Sequence, residues 1–292
     1  MNKNLRMYLE ILRPKQWIKN LFVFAGILFS QNFFNSYLFL RSVYAFLIFC
    51  LLSGSAYILN DLTDLKYDRR HPVKSKRPLA SGKIKVPCAI LFFVVLSFVS
   101  LGASYYLNLS FFLTASGYLL LQLAYSLLLK YLVIVDVFAI AFGFVLRVAA
   151  GAAVINVQPS HWLLICAMLL ALLLGLVKRR YELIVLKGNA RDYKRVFGGY
   201  SIHLLEKMIS MVAASTILFY AFYAISGQES KKFSTKSLIF TLPFVAYGIL
   251  RYLFLIYRKE NNADPESILI SDKPLMINIF LWVTAVGLIL YG

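Results

Sequence analysis

Residues 60–82, NDLTDLKYDRRHPVKSKRPLASG, lie between two long apolar runs and hold three of the chain's seven aspartates. These are Asp61, Asp64 and Asp68, and on a helix of about 3.6 residues per turn they fall on one face, with Asn60 at its edge. Cations follow at once. Carboxylates that share Mg²⁺, next to cations, suit a substrate that carries a diphosphate. Because this stretch adjoins an apolar run, we predict that a second substrate is a lipid.

The alternative for this aspartate face is a solvated, salt-bridged helix in a loop. Three aspartates and an asparagine beside a membrane span repel one another, and a bound divalent ion would relieve that repulsion. Oxygen ligands and a phosphate-bearing substrate favour Mg²⁺ over zinc. We therefore predict that Asp61, Asp64, Asp68 and Asn60 carry the chemistry, and that the three aspartates bind the metal.

The composition is that of a membrane protein. Hydrophobic residues make up 60% of the 292 residues and the mean hydropathy is +0.72, whereas a soluble domain is nearer half apolar. Many apolar runs reach the roughly 20 residues that a bilayer helix needs. We predict one all-α polytopic membrane domain, residues 1–292, with about nine transmembrane helices. The predicted spans lie near residues 19–35, 39–59, 86–106, 109–129, 132–155, 160–177, 206–226, 237–256 and 275–291.

The net charge of +18 comes mostly from short loops, above all residues 66–85 and 178–207. Cations placed in this way indicate membrane topology and contacts with anionic lipid or phosphate rather than nucleic acid. The positive-inside rule places both loops in the cytoplasm. Cys50, Cys88 and Cys166 form no CxxC or Cys/His cluster, so neither a disulfide framework nor zinc is indicated.

Two cations directly behind the aspartates are candidates for phosphate oxygens. Lys74 and Arg77 lie in a loop shaped by Pro72, Pro78 and Gly82. Arginine would bind phosphate through a bidentate fork and lysine as a point charge. The alternative is that these cations serve membrane topology alone.

Two further cationic segments are candidates of the same kind. KRRYEL places Lys178, Arg179 and Glu182 at the end of the sixth apolar run, where a phosphate clamp with an orienting carboxylate and simple membrane-end anchoring are both open. RPKQWIKN, near the N-terminus, places Lys15 and Lys19 where they could meet a lipid phosphate.

Asp136 and Arg147 are ionisable groups inside the apolar run 132–155. They lie eleven residues apart, about 16 Å along a regular helix, and so cannot pair directly. Such groups usually face a cavity or a partner, and we predict a polar substrate cavity, with structural pairing to neighbouring helices as the alternative. Lys130 lies at the cytoplasmic end of this run, where snorkelling is the alternative to substrate binding.

The motif NDxxDxxxD at residues 60–68, after the second apolar run, resembles the UbiA superfamily of intramembrane prenyltransferases. The finer resemblance is to its decaprenyl-phosphate phosphoribosyltransferase branch. That resemblance lies in RPxQWxKN at residues 13–20, in HPxKxxRPxASG at residues 71–82, and in YSxxLKxxxxxD at residues 125–136. It extends over nearly the whole chain.

The resemblance implies a UbiA-like helix bundle in the bacterial cytoplasmic membrane, with a polar cavity on the cytoplasmic side. It implies Mg²⁺-dependent transfer of a phosphoribosyl group from 5-phosphoribosyl 1-diphosphate to a polyprenyl phosphate for cell-envelope sugar-lipid synthesis, with release of pyrophosphate. Together with the residues above, the predicted substrate-binding residues are Lys15, Lys19, Lys74, Arg77, Tyr125, Lys130, Asp136, Arg147, Lys178, Arg179 and Glu182.

Two other functions stay open at this point. Ordinary UbiA prenyltransferases carry a second aspartate-rich motif after the sixth span, whereas residues 178–201 contain only Asp192. This difference disfavours transfer of a prenyl group from a prenyl diphosphate to a small or aromatic acceptor. A transporter or lipid-binding protein would show repeated, broken helices around midplane charges, and the sequence has no such repeat. A homo-oligomeric state is also left open.

Overall fold

In this computed structural model, residues 3–70, 73–185, 195–226, 238–258 and 265–292 are described. They form two compact units, one of residues 1–159 and 189–198 and the other of residues 160–188 and 199–292. That the chain forms a single domain remains a prediction.

Every regular element in the described ranges is helical. The first unit contains α1 (Lys3–Ile11), α2 (Ala25–Phe29), α3 (Ser36–Thr63), α4 (Leu65–Asp68), α5 (Val86–Leu107), α6 (Leu109–Leu127) and α7 (Val135–Val154), with 3₁₀ helices at Pro14–Phe24, Lys74–Lys76 and Leu129–Tyr131. The second contains α8 (His161–Val185), α9 (Ile202–Ser226), α10 (Leu242–Arg258), α11 (Pro265–Ser271) and α12 (Lys273–Tyr291), with a 3₁₀ helix at Leu238–Thr241. A further 3₁₀ helix, Arg195–Gly199, belongs to the first unit up to Gly198.

Eight helices in the described ranges are long and apolar enough to cross a membrane. They are α3, α5, α6, α7, α8, α9, the stretch Leu238–Arg258 that contains α10, and α12. The prediction of an all-α polytopic membrane protein is therefore confirmed.

The first predicted span, residues 19–35, differs in form from the prediction. A regular transmembrane helix is wrong there, because the chain forms the 3₁₀ helix Pro14–Phe24 followed by the short α2. At about 2.0 Å per 3₁₀ residue and 1.5 Å per α residue, the two together reach about 30 Å, close to the thickness of a bilayer's hydrocarbon core.

This irregular segment runs antiparallel beside α3. Asn20 donates to Ser53 Oγ at 3.0 Å, and the rings of Phe24 and Phe46 lie 5.6 Å apart further along. The segment therefore follows α3 along much of its length.

Asparagine side chains close helix ends in the first unit. Asn35 Oδ1 accepts the backbone N–H groups of Tyr37 and Leu38 at the start of α3. Asn108 Oδ1 accepts that of Phe111 at 2.7 Å, and its amide donates to the carbonyl of Ala153 at 2.9 Å. Asn108 thus caps the start of α6 and the end of α7 together.

A hydrophobic cluster lies beneath the aspartate motif. It joins α1, the end of α3 and the loop that follows the aspartates, through the buried side chains of Ile11, Leu12, Ile58, Leu79 and Ile84. Because three separate segments share this cluster, it fixes the N-terminal turn and the loop against the end of α3.

The second unit has a hydrogen-bonded network of its own. Trp162 packs against the rings of Phe219 and Phe222. Tyr220 OH lies 2.6 Å from Thr241 Oγ1 and accepts a hydrogen bond from the indole of Trp282 at 2.9 Å. These bonds satisfy polar groups at membrane depth, where water is not available to do so.

The irregular segment formed by the 3₁₀ helix Pro14–Phe24 and α2 meets α7 backbone to backbone. A Cβ atom added at Gly151 would lie 1.8 Å from the carbonyl oxygen of Val23, and one at Gly26 would lie 2.5 Å from the nitrogen of Ala152. Only glycine permits such an approach, as in other close helix crossings in membranes.

We expect Gly151→Ala to lower the unfolding temperature in detergent clearly, because the added methyl group must push two backbones apart. Overpacking of this kind typically costs 1–3 kcal/mol, so we expect a loss of about 2 kcal/mol. Gly117→Ala is the matched control, since nothing lies within 4 Å of a Cβ there and alanine is the better helix former. Equal unfolding temperatures for the two variants would contradict this packing.

Candidate functional site

The aspartate motif continues the helical path of α3 through a break at Asp64. The N–H of Asp64 donates to the Asn60 carbonyl at 2.9 Å, and the N–H of Asp68 donates to the Asp64 carbonyl at 2.8 Å. Asp61 and Asp68 are buried and share one partner, whereas Asp64 has another. The predicted single face is therefore divided into a shared pair and one separate carboxylate.

Arg77 joins the shared pair. Its Nη1 lies 3.0 Å from Asp61 Oδ1 and 2.6 Å from Asp68 Oδ2. The loop brings it there directly after the 3₁₀ helix Lys74–Lys76. The positive charge of Arg77 thus sits between two carboxylates and offsets their mutual repulsion.

The donor chemistry suits a hard divalent ion, although the carboxylates now face cations of the chain. Carboxylate oxygens are the ligands that Mg²⁺ prefers. Within the described ranges, no three side chains of His, Cys, Asp or Glu are grouped so that they could hold a metal ion. Mg²⁺ binding by the three aspartates would therefore require their present ion pairs to open.

Arg13 is a residue of this cluster that the sequence reasoning missed. Its guanidinium forms an ion pair with Asp61 and lies 5.0 Å from the ring centre of Tyr57. Its backbone is left-handed, with φ 52° and ψ 64°, immediately before Pro14. A non-glycine residue in this region is strained and worth explaining. The sequence signal for Arg13 was the arginine–proline pair that opens RPxQWxKN. In that segment only Lys15 and Lys19 were predicted to bind phosphate.

Lys130 belongs to the same cluster. Its Nζ lies 2.6 Å from Asp64 Oδ1 and donates to Thr63 Oγ1 at 2.8 Å. The side chain is only 7% exposed, so snorkelling to solvent is wrong for this lysine. The 3₁₀ turn Leu129–Tyr131 holds it. This turn ends at Leu132, and Ile134, with φ 70°, directly precedes α7.

Arg147 lies in a separate, deeply buried network. It donates to Asn20 Oδ1, Tyr118 OH and the Gly143 carbonyl at 2.8, 2.8 and 2.9 Å. These acceptors are neutral, and no carboxylate in the described part of the chain lies within ion-pairing distance of it. Asp136 is fully buried in the first turn of α7, eleven residues before Arg147, so the two charges do not pair. A substrate cavity around either of them remains a prediction.

The other predicted residues near the aspartates have more open surroundings. Lys15 is exposed, and Lys19, Lys74 and Tyr125 are half-buried. Asn60 is half-buried, and no side-chain hydrogen bond to its amide is found among the described residues. Contacts of these side chains with a substrate remain predictions.

The predicted clamp at residues 178–182 lies in the second unit. Arg179 is buried and donates to Glu182 Oε2 at 2.6 Å, one turn further along α8. The neighbouring Arg180 donates to Glu206 Oε1 on α9 at 2.9 Å. The roles predicted for Lys178, Arg179 and Glu182 remain predictions. His71 and Asp192 lie outside the described residues.

Comparison with known proteins agrees with this fold. The UbiA prenyltransferase family matches residues 20–283. The chain belongs to this family. It is similar to two proteins named decaprenyl-phosphate phosphoribosyltransferase, from Corynebacterium glutamicum and Mycolicibacterium smegmatis. Each is 28% identical over 97% of this chain, covering 86% and 92% of the two relatives.

A solved structure shows the same fold. The UbiA homolog from Archaeoglobus fulgidus bound to DMAPP and Mg²⁺ has a TM-score of 0.76, with 23% identity over 97% of this chain and 98% of that one. The predictions of this family and of an enzyme are confirmed by these comparisons.

We expect Arg147→Met to lower activity, because Arg147 is predicted to face the substrate cavity. The loss of thermal stability should be limited, because the substitution removes a buried charge whose partners are neutral. Tyr118→Phe is the control, since it removes one hydrogen bond of this network and leaves the charge in place. Turnover and unfolding temperature of both purified variants are the measurements. Failure of Arg147→Met to fold, with folding restored by adding Asp136→Leu, would make both residues structural charges.

Proposed function

We propose that this membrane enzyme transfers a 5-phosphoribosyl group from 5-phosphoribosyl 1-diphosphate to a polyprenyl phosphate, releases pyrophosphate, and thereby supplies a lipid for cell-envelope sugar synthesis. The observation that carries the proposal is the cluster at the end of α3. There Asp61, Asp64 and Asp68 lie among Arg77, Arg13 and Lys130. Carboxylates for a divalent ion and cations for phosphate oxygens are the two requirements of a diphosphate leaving group.

The aspartates would hold Mg²⁺, and Asn60 would help to orient the diphosphate. Mg²⁺, when bound, supplies positive charge that stabilises the departing pyrophosphate. Arg77 and Lys74 would hold donor phosphate oxygens from the loop that follows the aspartates. Their charges oppose the negative charge that builds on the leaving group as the glycosidic bond breaks.

The acceptor needs little activation from the protein. A phosphate monoester oxygen is already anionic at neutral pH, so no strong general base is required, and Lys15 and Lys19 would position it. The ribosyl carbon would develop oxocarbenium character, as in glycosyl transfer generally. Direct displacement by that oxygen would invert the anomeric centre.

Two observations support 5-phosphoribosyl 1-diphosphate, rather than a prenyl diphosphate, as the electrophile. Two relatives similar over nearly the whole chain are named decaprenyl-phosphate phosphoribosyltransferase. In the sequence, residues 178–201 contain a single aspartate, Asp192, where ordinary UbiA prenyltransferases carry a second aspartate-rich motif. Transfer of a prenyl group to a small acceptor is the second candidate, because the solved neighbour of this fold was bound to DMAPP.

The decisive experiment offers both electrophiles to the purified enzyme with Mg²⁺. We expect 5-phosphoribosyl 1-diphosphate and a polyprenyl phosphate to give pyrophosphate and a phosphoribosyl-phosphoryl lipid, detected by mass spectrometry. A polyprenyl diphosphate with an aromatic acid should give no prenylated product. Asp61→Asn, which keeps size and removes charge, should lower turnover by orders of magnitude. Prenylation without ribosyl transfer would establish the second candidate instead.

We also propose that the enzyme lies in the bacterial cytoplasmic membrane with the aspartate loop in the cytoplasm. Cysteines placed at exposed Lys66 or Lys76, in a chain without its three native cysteines, should resist an impermeant thiol reagent added to intact cells. A cysteine at exposed Tyr37, at the opposite end of α3, is the matched control and should react. Labelling of the loop from outside the cell would reverse this orientation.

A further inference from the structure

Each aspartate of the motif accepts from a cation of the chain itself. Asp61 accepts from Arg13 and from Arg77, Asp68 from the same Arg77, and Asp64 from Lys130. Three carboxylates are thus matched by three positive side chains, which we call the counter-cations: Arg13, Arg77 and Lys130. The carboxylates are 3%, 6% and 16% exposed, so water screens these pairs poorly.

The counter-cations come from three separate segments. Arg13 lies 48 residues before Asp61, Arg77 lies in the loop 16 residues after it, and Lys130 lies 66 residues after Asp64. Unusual backbone lies at or near two of the three, since Arg13 itself is left-handed and Ile134, at the start of α7, also has a positive φ. The fold accepts this strain and places positive groups on all three aspartates.

Metal and diphosphate must therefore affect each other's binding. A divalent ion that enters alone meets carboxylates already neutralised and is repelled by the cations beside them. If the counter-cations turn away, they need new negative partners, because an unpaired buried charge is costly. The oxygens of a diphosphate provide such negative partners, and they can bind the metal at the same place.

We propose that Arg13, Arg77 and Lys130 form a counterion latch. Without ligand they pair with the aspartates, and when metal and diphosphate bind together they pair with the diphosphate instead. This inference rests on the proposed diphosphate site, but not on which group the diphosphate carries. It assigns to Arg13 and Lys130 a diphosphate-binding role, and it makes metal binding and diphosphate binding positively cooperative.

The latch predicts opposite effects of one substitution on two ligands. Arg77→Met frees Asp61 and Asp68 from a competing cation, so Mn²⁺ alone, used as a probe for Mg²⁺, should bind at least fivefold tighter. The same change removes a phosphate partner, so pyrophosphate in the presence of Mg²⁺ should bind at least tenfold weaker. Arg13→Met and Lys130→Met should shift both affinities in these same directions.

Two direct binding measurements on the purified full-length chain test this, without turnover. Free Mn²⁺ is counted from its electron paramagnetic resonance signal, and radiolabelled pyrophosphate is counted on the retained protein. Lys66→Met is the matched control, because Lys66 is exposed in the same motif and forms no ion pair with the aspartates; it should change neither affinity. Arg77→Lys, which keeps the charge, should bind Mn²⁺ alone as weakly as the wild type.

The outcomes separate the latch from the proposed reaction. Weaker or unchanged Mn²⁺ binding in Arg77→Met, or an equal gain in Lys66→Met, would overturn the latch. Independent binding of the two probes to the wild type would overturn it even if the variants do not fold. Pyrophosphate is a product with either electrophile, so a failure to transfer ribosyl groups leaves this test intact.

Discussion

The ion pairs at the end of α3 are the constraint on which the arrangement of the first unit depends. One guanidinium, that of Arg77, bridges Asp61 and Asp68, while Lys130 holds Asp64. Carboxylates packed this closely at a membrane boundary would repel one another without such partners. Each partner comes from a different part of the chain, so the pairs also join the N-terminal turn, the loop after the aspartates and the turn before α7.

The irregular N-terminal segment follows from the same need to satisfy polar groups away from water. A 3₁₀ run of eleven residues is long for this kind of helix. Here it brings the backbone of Val23 against Gly151 and places the amide of Asn20 between Ser53 and Arg147. Arg147 thereby obtains neutral acceptors at membrane depth, where an unsatisfied cation would be expensive.

The aspartate cluster and the Arg147 network suggest different functions. The aspartate cluster holds opposite charges that are partly open to solvent, with the arginines 22% and 26% exposed. Such pairs can be exchanged for a ligand of the right charge. Arg147 is 4% exposed and its hydrogen bonds go to neutral groups, so its network holds no ion pair that a charged ligand could displace. This contrast explains why the proposed chemistry is assigned to the aspartate cluster.

The sequence alone was sufficient for the membrane class, the family and the position of the aspartate motif. Apolar runs of bilayer length and the spacing of Asp61, Asp64 and Asp68 are local properties, set by helix period and length. The partners of those aspartates were only partly predictable: Arg77 follows closely in sequence, whereas Arg13 and Lys130 reach them through the return path of the chain. The 3₁₀ form of residues 14–24 was likewise decided by tertiary structure, because it depends on how closely Gly151 lets another backbone approach.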